Sequence, residues 1–414
     1  MSETWTELKA LLDGGLTSWL AADLVETRLR AAGLREGWPR EDIREPFFVR
    51  VHPGVVLALR PGTVPLGEGA FVWALAHLDA PAFRVKRKPD DFDGLQRYLT
   101  ERYGSPVPER FLDVPLKMAG RVFTAEGEGV RETRFTGQTE GVMPSLAPHL
   151  GKEGTSIDPQ TQLAALWSLE ELPFETLLAR EADLGAEPIL SHEVFLVPAA
   201  GARRLGAEGE LVWSPRLDDL ALVHGALEGF LGADPSPGWQ GLLLCNHEEV
   251  GSMSREGALS GLLAGLAERI GALAGLERTG LFDVLARSVL LSLDMAHGDH
   301  PGYPGAQDRQ NAPRLGAGPA VKLSAAGRYA SDPREEAWVR KLAGDHGLPL
   351  QSFQNRSDVK GGTTLGPMAG AFSGMAALDL GVPMLAMHSA GEIAALRDIQ
   401  TAADLVKYVF MERM

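Results

Sequence analysis

Leu242-Leu243-Leu244-Cys245 is an uninterrupted apolar run, and His247-Glu248-Glu249 follows it almost at once. Such a run is typical of a strand that is buried on both faces of a sheet. The same order of apolar run and polar end recurs three times: at 71–76 before His77, at 289–293 before Asp294, and at 383–387 before His388. Because ligands bind at the carboxyl ends of strands in open α/β sheets, we expect these polar residues to share one site.

Helical patterns separate these strands along the chain. They cover residues 6–33, about 218–231, 257–274, 333–346, 366–380 and 400–411. Alternation of strands and helices predicts an α/β fold, with a mainly parallel-centred sheet flanked by helices.

Residues 83–194 differ from the rest in character. They carry short, charged, β-prone pieces between Gly- and Pro-containing turns, with one helix-like stretch near 159–180. This pattern predicts a β-rich domain with its own small core. We therefore expect 1–82 and 195–414 to form a catalytic domain into which 83–194 is inserted.

Composition excludes several functional classes. The chain has 414 residues and a formal net charge of −15, which disfavours binding to nucleic acid or to an anionic membrane. The single cysteine, Cys245, excludes an internal disulfide framework and a cysteine-rich zinc site. No signal peptide and no apolar run long enough to span a membrane is visible, so we expect a cytoplasmic location.

The polar residues at the strand ends form a ligand set for metal ions. Imidazole and carboxylate groups suit zinc, and they also suit manganese or cobalt. Glu248, beside Glu249, could act as a general base toward a metal-activated water. Each residue alone has an ordinary structural explanation, since Asp218 could cap a helix and His388 could be a buried structural histidine. Because these residues share a placement at strand ends, the pattern favours one two-metal site over a separate structural role for each residue.

Asp79 has a more specific possibility, because it lies two residues after His77. Its carboxylate could accept the imidazole N–H and orient the ring, although a turn aspartate before Pro81 is an equal alternative. Phosphate-loop, nucleophile-elbow and zincin-helix motifs are absent. Cys245 lies within an apolar run, so we predict that it is a core residue.

Six segments in family order resemble the aspartyl aminopeptidase family of dinuclear metallopeptidases. They are His77-Leu78-Asp79-Ala80-Pro81, Ser214-Pro215-Arg216-Leu217-Asp218-Asp219-Leu220, His247-Glu248-Glu249-Val250-Gly251-Ser252, Asp294-Met295-Ala296-His297-Gly298-Asp299-His300-Pro301, Gly361-Gly362-Thr363-Thr364-Leu365-Gly366-Pro367 and Met387-His388-Ser389.

The resemblance implies a role for each core residue. Asp218 would bridge two divalent metal ions, with His77 and Asp294 completing one site and Glu249 and His388 completing the other.

It also implies that Glu248 is the general base and that Asp79 orients His77. The insertion would be a dimerisation domain, and the assembly would be a homo-oligomer built from dimers, up to a dodecamer.

Substrate contacts follow from the same resemblance. Lys322 and Tyr329, seven residues apart, would lie near the substrate side chain, and His297 would be an active-site histidine. A cation at that place would favour acidic N-terminal residues, although Lys322 could equally be an exposed strand lysine.

The chain departs from the family pattern at several points. Asp219 stands where an asparagine is usual, and Ser389-Ala390-Gly391-Glu392 lacks an arginine. Ser145 takes one histidine position of the segment that reaches a neighbouring subunit, while His149 keeps the other.

The function expected from these observations is a metal-dependent aminopeptidase acting on peptides with a free N-terminus. A related two-metal carboxypeptidase or N-deacylase is the first alternative. A non-catalytic assembled shell with a degenerate site is the second.

Overall fold

The computed structural model of the protein describes residues 2–150, 156–185 and 187–412. Within these ranges the chain forms the helices α1 (Ser2–Gly14), α2 (Ser18–Ala31), α3 (Phe174–Glu181), α4 (Leu217–Gly232), α5 (Leu262–Leu273), α6 (Arg278–Arg287), α7 (Pro333–Asp345), α8 (Leu365–Ser373) and α9 (Leu396–Glu412). The strands are β1 (Arg35–Glu36), β2 (Phe47–His52), β3 (Val55–Arg60), β4 (Phe71–His77), β5 (Ala82–Phe92), β6 (Gln96–Tyr103), β7 (Leu116–Glu126), β8 (Gly129–Gly141), β9 (Ala164–Ser168), β10 (Ile189–Pro198), β11 (Arg203–Leu205), β12 (Leu211–Ser214), β13 (Trp239–Cys245), β14 (Val289–Leu293), β15 (Ala296–His297), β16 (Ala320–Lys322), β17 (Gln351–Phe353), β18 (Ala376–Gly381), β19 (Pro383–Leu385) and β20 (Glu392–Ala395).

The main sheet has nine strands in the order β1-β2-β3-β13-β4-β14-β18-β16-β17. Its centre, β13-β4-β14-β18, is parallel, whereas β3 and β16 pair with this centre in antiparallel fashion. The predicted α/β fold with a parallel-centred sheet is therefore confirmed.

Strand β4 shows why the centre of the sheet is buried on both faces. Its alternate residues Val72, Ala74 and Ala76 pack into one hydrophobic core with α4 and α9. Phe71, Trp73 and Leu75 pack into a second core with α5, α6 and α8. The two-residue period of a strand sends neighbouring side chains to opposite faces, so a continuous apolar run suits a sheet covered by helices on both sides.

A second sheet has five strands in the order β11-β12-β20-β19-β15. The apolar runs at 211–213 and 383–387 belong to this sheet and not to the nine-stranded one. The strand pattern predicts a single sheet at the candidate site, whereas the structure has two sheets there.

Strands β5 to β10 form a six-stranded sheet in the order β8-β7-β10-β5-β6-β9, with antiparallel pairing throughout. It has its own core, which includes Phe83, Tyr98, Phe111 and Phe174. Its strands begin at Ala82 and end at Pro198. The domain limits 83 and 194 remain a prediction.

Three predicted helices differ from the structure. The stretch 159–180 contains β9 and only then α3, and the stretch 366–380 contains α8 followed by β18. Gly374, with a left-handed φ of 73°, ends α8. The stretch 6–33 is two helices, and Thr17 begins the second by accepting a hydrogen bond from the backbone of Leu20.

Across the part of the chain that the structure describes, no helix has both the length and the apolar character that crossing a bilayer requires.

Candidate metal centre

One pocket of about 400 Å³ collects the predicted core residues. All six of them line it: His77, Asp218, Glu248, Glu249, Asp294 and His388. The sequence therefore identified residues that share one pocket, although they lie far apart in the chain.

The nine-stranded sheet supplies four of the six. His77 is the last residue of β4, and Asp294 directly follows β14. Glu248 and Glu249 lie in a short 3₁₀ turn, Glu248–Val250, that follows β13. Cys245 of β13 pairs with His77 of β4, so the ends of these parallel strands are level with each other.

The other two residues come from the five-stranded sheet. Asp218 lies in the first turn of α4, just after β12, and His388 follows β19. The pocket is therefore built by two sheets and not by a single row of strand ends.

Asp218 stands at the centre of this arrangement. Its Oδ1 is 3.5 Å from Nε2 of His77, and its Oδ2 is 3.5 Å from Nε2 of His388. The same His388 nitrogen is 3.6 Å from Oε2 of Glu249. Potential ligand atoms of His77, Asp218 and Glu249 all lie within 4.8 Å of one another.

Both imidazoles are held in the same way from behind. Nδ1 of His77 lies 3.0 Å from the backbone oxygen of Asp79, and Nδ1 of His388 lies 3.1 Å from the backbone oxygen of Ser105. Since a carbonyl oxygen can only accept, each Nδ1 carries the proton when the ring is neutral. Each Nε2 is then a free electron-pair donor that faces Asp218, as a metal ligand requires.

Three carboxylate oxygens at the site have no hydrogen-bond partner among the described residues, although they are buried. They are Oδ1 of Asp218, Oδ1 of Asp219 and Oε1 of Glu249. Buried polar atoms are normally satisfied, so orphaned oxygens beside free imidazole nitrogens fit a site for cations.

Electrostatics support the same conclusion. Burial raises the pKa of Glu248 to about 8, and the charges of Asp294, Asp79 and Asp218 add to this rise while His77 opposes it. So many carboxylates in one buried place are costly without positive charge, which divalent ions supply. The residues present therefore fit zinc or a similar metal.

Asp79 contacts both His77 and the turn that carries the two glutamates. Its carboxylate lies 3.5 Å from Nδ1 of His77, whereas its backbone oxygen makes the closer contact. The carboxylate accepts hydrogen bonds from the backbone of Glu248 at 3.1 Å, from the backbone of Glu249 at 3.2 Å, and from the hydroxyl of Tyr103 at 2.8 Å. Asp79 therefore fixes the turn that carries both glutamates.

Two residues beside the site, the partly buried Tyr103 and the buried Glu392, were not predicted as site residues. Tyr103, on β6, holds Asp79, and Glu392, on β20, accepts hydrogen bonds from the backbones of Asp218 and His388. The sequence offered a weak signal for Glu392 only, because it ends the segment that follows the candidate ligand His388.

The backbone is unusual around the pocket. Arg216, His247, Ala386 and His388 have left-handed φ angles of 62°, 60°, 59° and 63°. Non-glycine residues rarely adopt this conformation, and such residues concentrate at functional sites where surrounding contacts hold them.

The predicted substrate residues His297, Lys322 and Tyr329 also line the pocket. Lys322 is buried and not exposed, since only 2% of its surface is accessible. Its Nζ lies 3.2 Å from Oδ1 of Asp294 and 5.5 Å from the centre of the Tyr329 ring. His149, in the short turn Pro148–Leu150, is not among the lining residues.

Comparisons with known proteins show the family and the fold of the chain. The sequence model of the family described as "Aminopeptidase I zinc metalloprotease (M18)" matches residues 16–410. A probable M18 family aminopeptidase 2 of Clostridium novyi (strain NT) is 32% identical over 403 residues, covering 92% of each chain. The crystal structure of an M18 aminopeptidase from Thermotoga maritima superposes with a TM-score of 0.87 at 22% identity, covering 99% of this chain and 96% of that one. The S. cerevisiae mApe1 dodecamer superposes with a TM-score of 0.84 at 20% identity, covering 99% and 96%.

Proposed function

Because the chain belongs to the M18 family of zinc aminopeptidases, we propose that it removes single N-terminal residues from peptides at a site that holds two metal ions. The family places the chain among the hydrolases, and it confirms the predicted metallo-aminopeptidase class. The number of ions, the role of each residue and the preferred substrate go beyond family membership.

The observation that carries the proposal is the position of Asp218 between two imidazoles. Its two carboxylate oxygens face different histidines, each at 3.5 Å. A carboxylate placed in this way suits a bridging ligand between two ions. We assign His77 and Asp294 to one ion, and Glu249 and His388 to the other.

When bound, two zinc ions polarise a peptide carbonyl and lower the pKa of a water molecule. Glu248 lies in the pocket wall beside these ligands and is the general base of the proposal. Its carboxylate would accept a proton from the attacking water and pass that proton to the leaving amine. Asp79 would keep the Glu248 backbone in place through the hydrogen bond at 3.1 Å.

A panel of matched peptides tests this function. The set contains one sequence with a free N-terminus, with an acetylated N-terminus and with a C-terminal amide. We expect release of the first residue only from peptides with a free N-terminus, whatever the C-terminus. Release of C-terminal residues would indicate a carboxypeptidase, and release of acetate would indicate an N-deacylase. Bound zinc without hydrolysis of any peptide would support a non-catalytic shell.

A preference for acidic N-terminal residues is the finer part of the proposal. Lys322 supplies a positive charge in the pocket wall, and His297 and Tyr329 lie in the same wall. The ion pair between Lys322 and Asp294 reduces the positive charge that a substrate would meet. The test compares kcat/KM for Asp-, Glu- and Leu-peptides in the wild type and in Lys322→Met, and an unchanged ratio would remove Lys322 from specificity.

We also propose a homo-oligomer built from dimers through the six-stranded sheet and its loops. Large apolar side chains are exposed there, including Leu146, Leu150 and Leu169 at 62%, 69% and 77%. Exposed apolar side chains mark a contact surface where they form one patch, and the main support for an assembly is that the structurally similar mApe1 forms a dodecamer. Light scattering coupled to size exclusion tests the assembly, and a monomer at micromolar concentration would contradict it.

A cytoplasmic location remains a proposal. The single cysteine, Cys245, is free and buried, as suits a reducing compartment. Fractionation of cells that produce the protein would test this location.

A further inference from the structure

We propose that Glu392 is a positioning residue that joins the two turns carrying Asp218 and His388 and thereby sets the affinity of the site for zinc. The inference rests on the ligand roles proposed above, but not on the reaction that the site performs.

The contacts of Glu392 are specific to these two turns. Oε2 accepts a hydrogen bond from the backbone N–H of Asp218 at 3.0 Å, and Oε1 accepts one from the backbone N–H of His388 at 2.7 Å. The side chain is buried, with 1% of its surface accessible. Each carboxylate oxygen therefore holds a different candidate ligand.

Sheet register explains how one side chain reaches both turns. Strand β20 lies between β12 and β19, with Glu392 opposite Ser214 of β12 and Ile393 opposite Leu385 of β19. Strand β12 leads to Asp218, and β19 leads to His388. A residue at the start of the middle strand thus lies between the two ends where the ligand turns begin.

Both turns need such support because their backbones depart from regular structure. His388 has a left-handed φ of 63°, and Arg216, two residues before Asp218, has one of 62°. Asp218 itself has non-helical angles, φ −81° and ψ 107°, inside the first turn of α4. Backbone N–H groups at such places lack a regular helix or sheet partner, and here the side chain of Glu392 accepts their hydrogen bonds.

Glu392 has a counterpart on the other side of the pocket. Asp79 accepts hydrogen bonds from the backbones of Glu248 and Glu249, just as Glu392 does from those of Asp218 and His388. Two carboxylates that are not themselves candidate ligands therefore gather the backbone amides of four site residues. This symmetry favours a role in setting ligand geometry over a purely local role in one turn.

The chain offers a matched control in Glu181. This buried carboxylate also accepts two backbone hydrogen bonds, from Gln138 at 2.6 Å and from Thr139 at 3.1 Å, but it lies on α3 and does not line the pocket. A general effect of losing a buried carboxylate would appear in both variants. An effect on metal binding would appear only in the variant of Glu392.

The experiment measures zinc affinity by competition with a chromogenic chelator in the wild-type protein, Glu392→Gln and Glu181→Gln. An amide has one acceptor oxygen, so Glu392→Gln retains only one of the two hydrogen bonds and places an NH₂ group against the other N–H. We expect a 10–100-fold weaker zinc affinity, and peptidase activity that returns toward the wild-type level in excess zinc. Glu181→Gln should keep the zinc affinity of the wild type.

Wild-type zinc affinity in Glu392→Gln would overturn the inference, as would an equal loss in Glu181→Gln. Should Glu392→Gln not fold, Glu392→Asp is measured instead, since the shorter carboxylate cannot reach both amides. Failure of both variants to fold would also overturn the inference, because Glu392 would then be needed for folding itself. A protein that binds zinc but hydrolyses no peptide would refute the proposed function and leave this comparison intact.

Discussion

The nine-stranded and the five-stranded sheets contribute to the pocket by different means. The first presents His77, Asp294 and the Glu248–Val250 turn at the carboxyl ends of parallel strands, where open α/β sheets commonly bind ligands. The second presents Asp218 and His388 from turns with strained backbones, which the side chain of Glu392 holds together. Four of the six residues therefore follow from a general rule of topology, whereas the positions of Asp218 and His388 depend on the hydrogen bonds of Glu392.

Tyr103, at the end of β6, and Ser105, just after it, also contact residues of the site. The hydroxyl of Tyr103 holds Asp79, and the backbone oxygen of Ser105 holds the ring of His388. Tyr103 and Ser105, both from the segment predicted to be an insertion, thus contact residues on both sides of the site, whereas none of the six core residues comes from that segment.

Asp218→Asn tests the junction between the two sheets, and it should have the largest effect. Replacing one carboxylate oxygen by an NH₂ group removes a ligand atom from the residue proposed to bridge both ions. We expect loss of bound zinc and of peptidase activity, with metal content measured by inductively coupled plasma mass spectrometry. Asp234→Asn is the control, because Asp234 is exposed and does not line the pocket. If Asp218→Asn retained two zinc ions per chain, Asp218 would not be the ligand that connects the contributions of the two sheets.

Glu248→Gln separates chemistry from metal binding on the side of the nine-stranded sheet. The amide keeps the size of the side chain but cannot accept a proton, so kcat should fall by roughly 10²–10⁴-fold while zinc content stays unchanged. Steady-state kinetics and metal analysis on the same preparation check both halves of the prediction. Turnover near that of the wild type would exclude Glu248 as the general base.

Tyr103→Phe tests the contribution of the insertion. The change removes one hydrogen bond to the carboxylate of Asp79, and we expect zinc affinity or activity to fall by about tenfold, at the lower end of the range for partners of metal sites. Tyr98→Phe is a matched control, because Tyr98 also lies on β6 and its hydroxyl donates to the backbone of Leu172 and not to the site. Equal effects in the two variants would assign Tyr103 a structural role alone.

Removal of zinc tests whether the ions join the two sheets. Ligands that bind only the native state stabilise it, by about 2.7 kcal/mol per site at a free concentration of 100 Kd. We expect a loss of this order in the free energy of unfolding after dialysis against a chelator, measured by denaturant titration. The change should be much smaller in Asp218→Asn, and an equal change in both proteins would place the stabilising zinc elsewhere.

The amino-acid sequence predicted three of the four strands of the parallel centre, namely β4, β13 and β14. The runs at 71–76, 242–245 and 289–293 are continuous, apolar and short, which leaves a doubly buried strand as the favoured reading. The sequence pattern placed residues 376–380 in a helix, because small and apolar residues such as Ala376, Ala377 and Leu378 suit either structure. Gly374 ends the preceding helix, and pairing with β14 makes the segment a strand.

Residue types and their order determined the chemistry of this protein. Two histidines and four carboxylates at strand ends and helix starts are enough to predict a metal site, because ligand chemistry belongs to the side chains themselves. The aminopeptidase class was predicted from the resemblance of six segments to a known family. The sequence predicted Asp79 behind His77, but only the tertiary structure showed that Asp79 and Glu392 hold the backbones of four site residues. Asp79 and Glu392 are acids like Glu249, yet they accept backbone hydrogen bonds, since partners from distant segments determine what a buried carboxylate can bind.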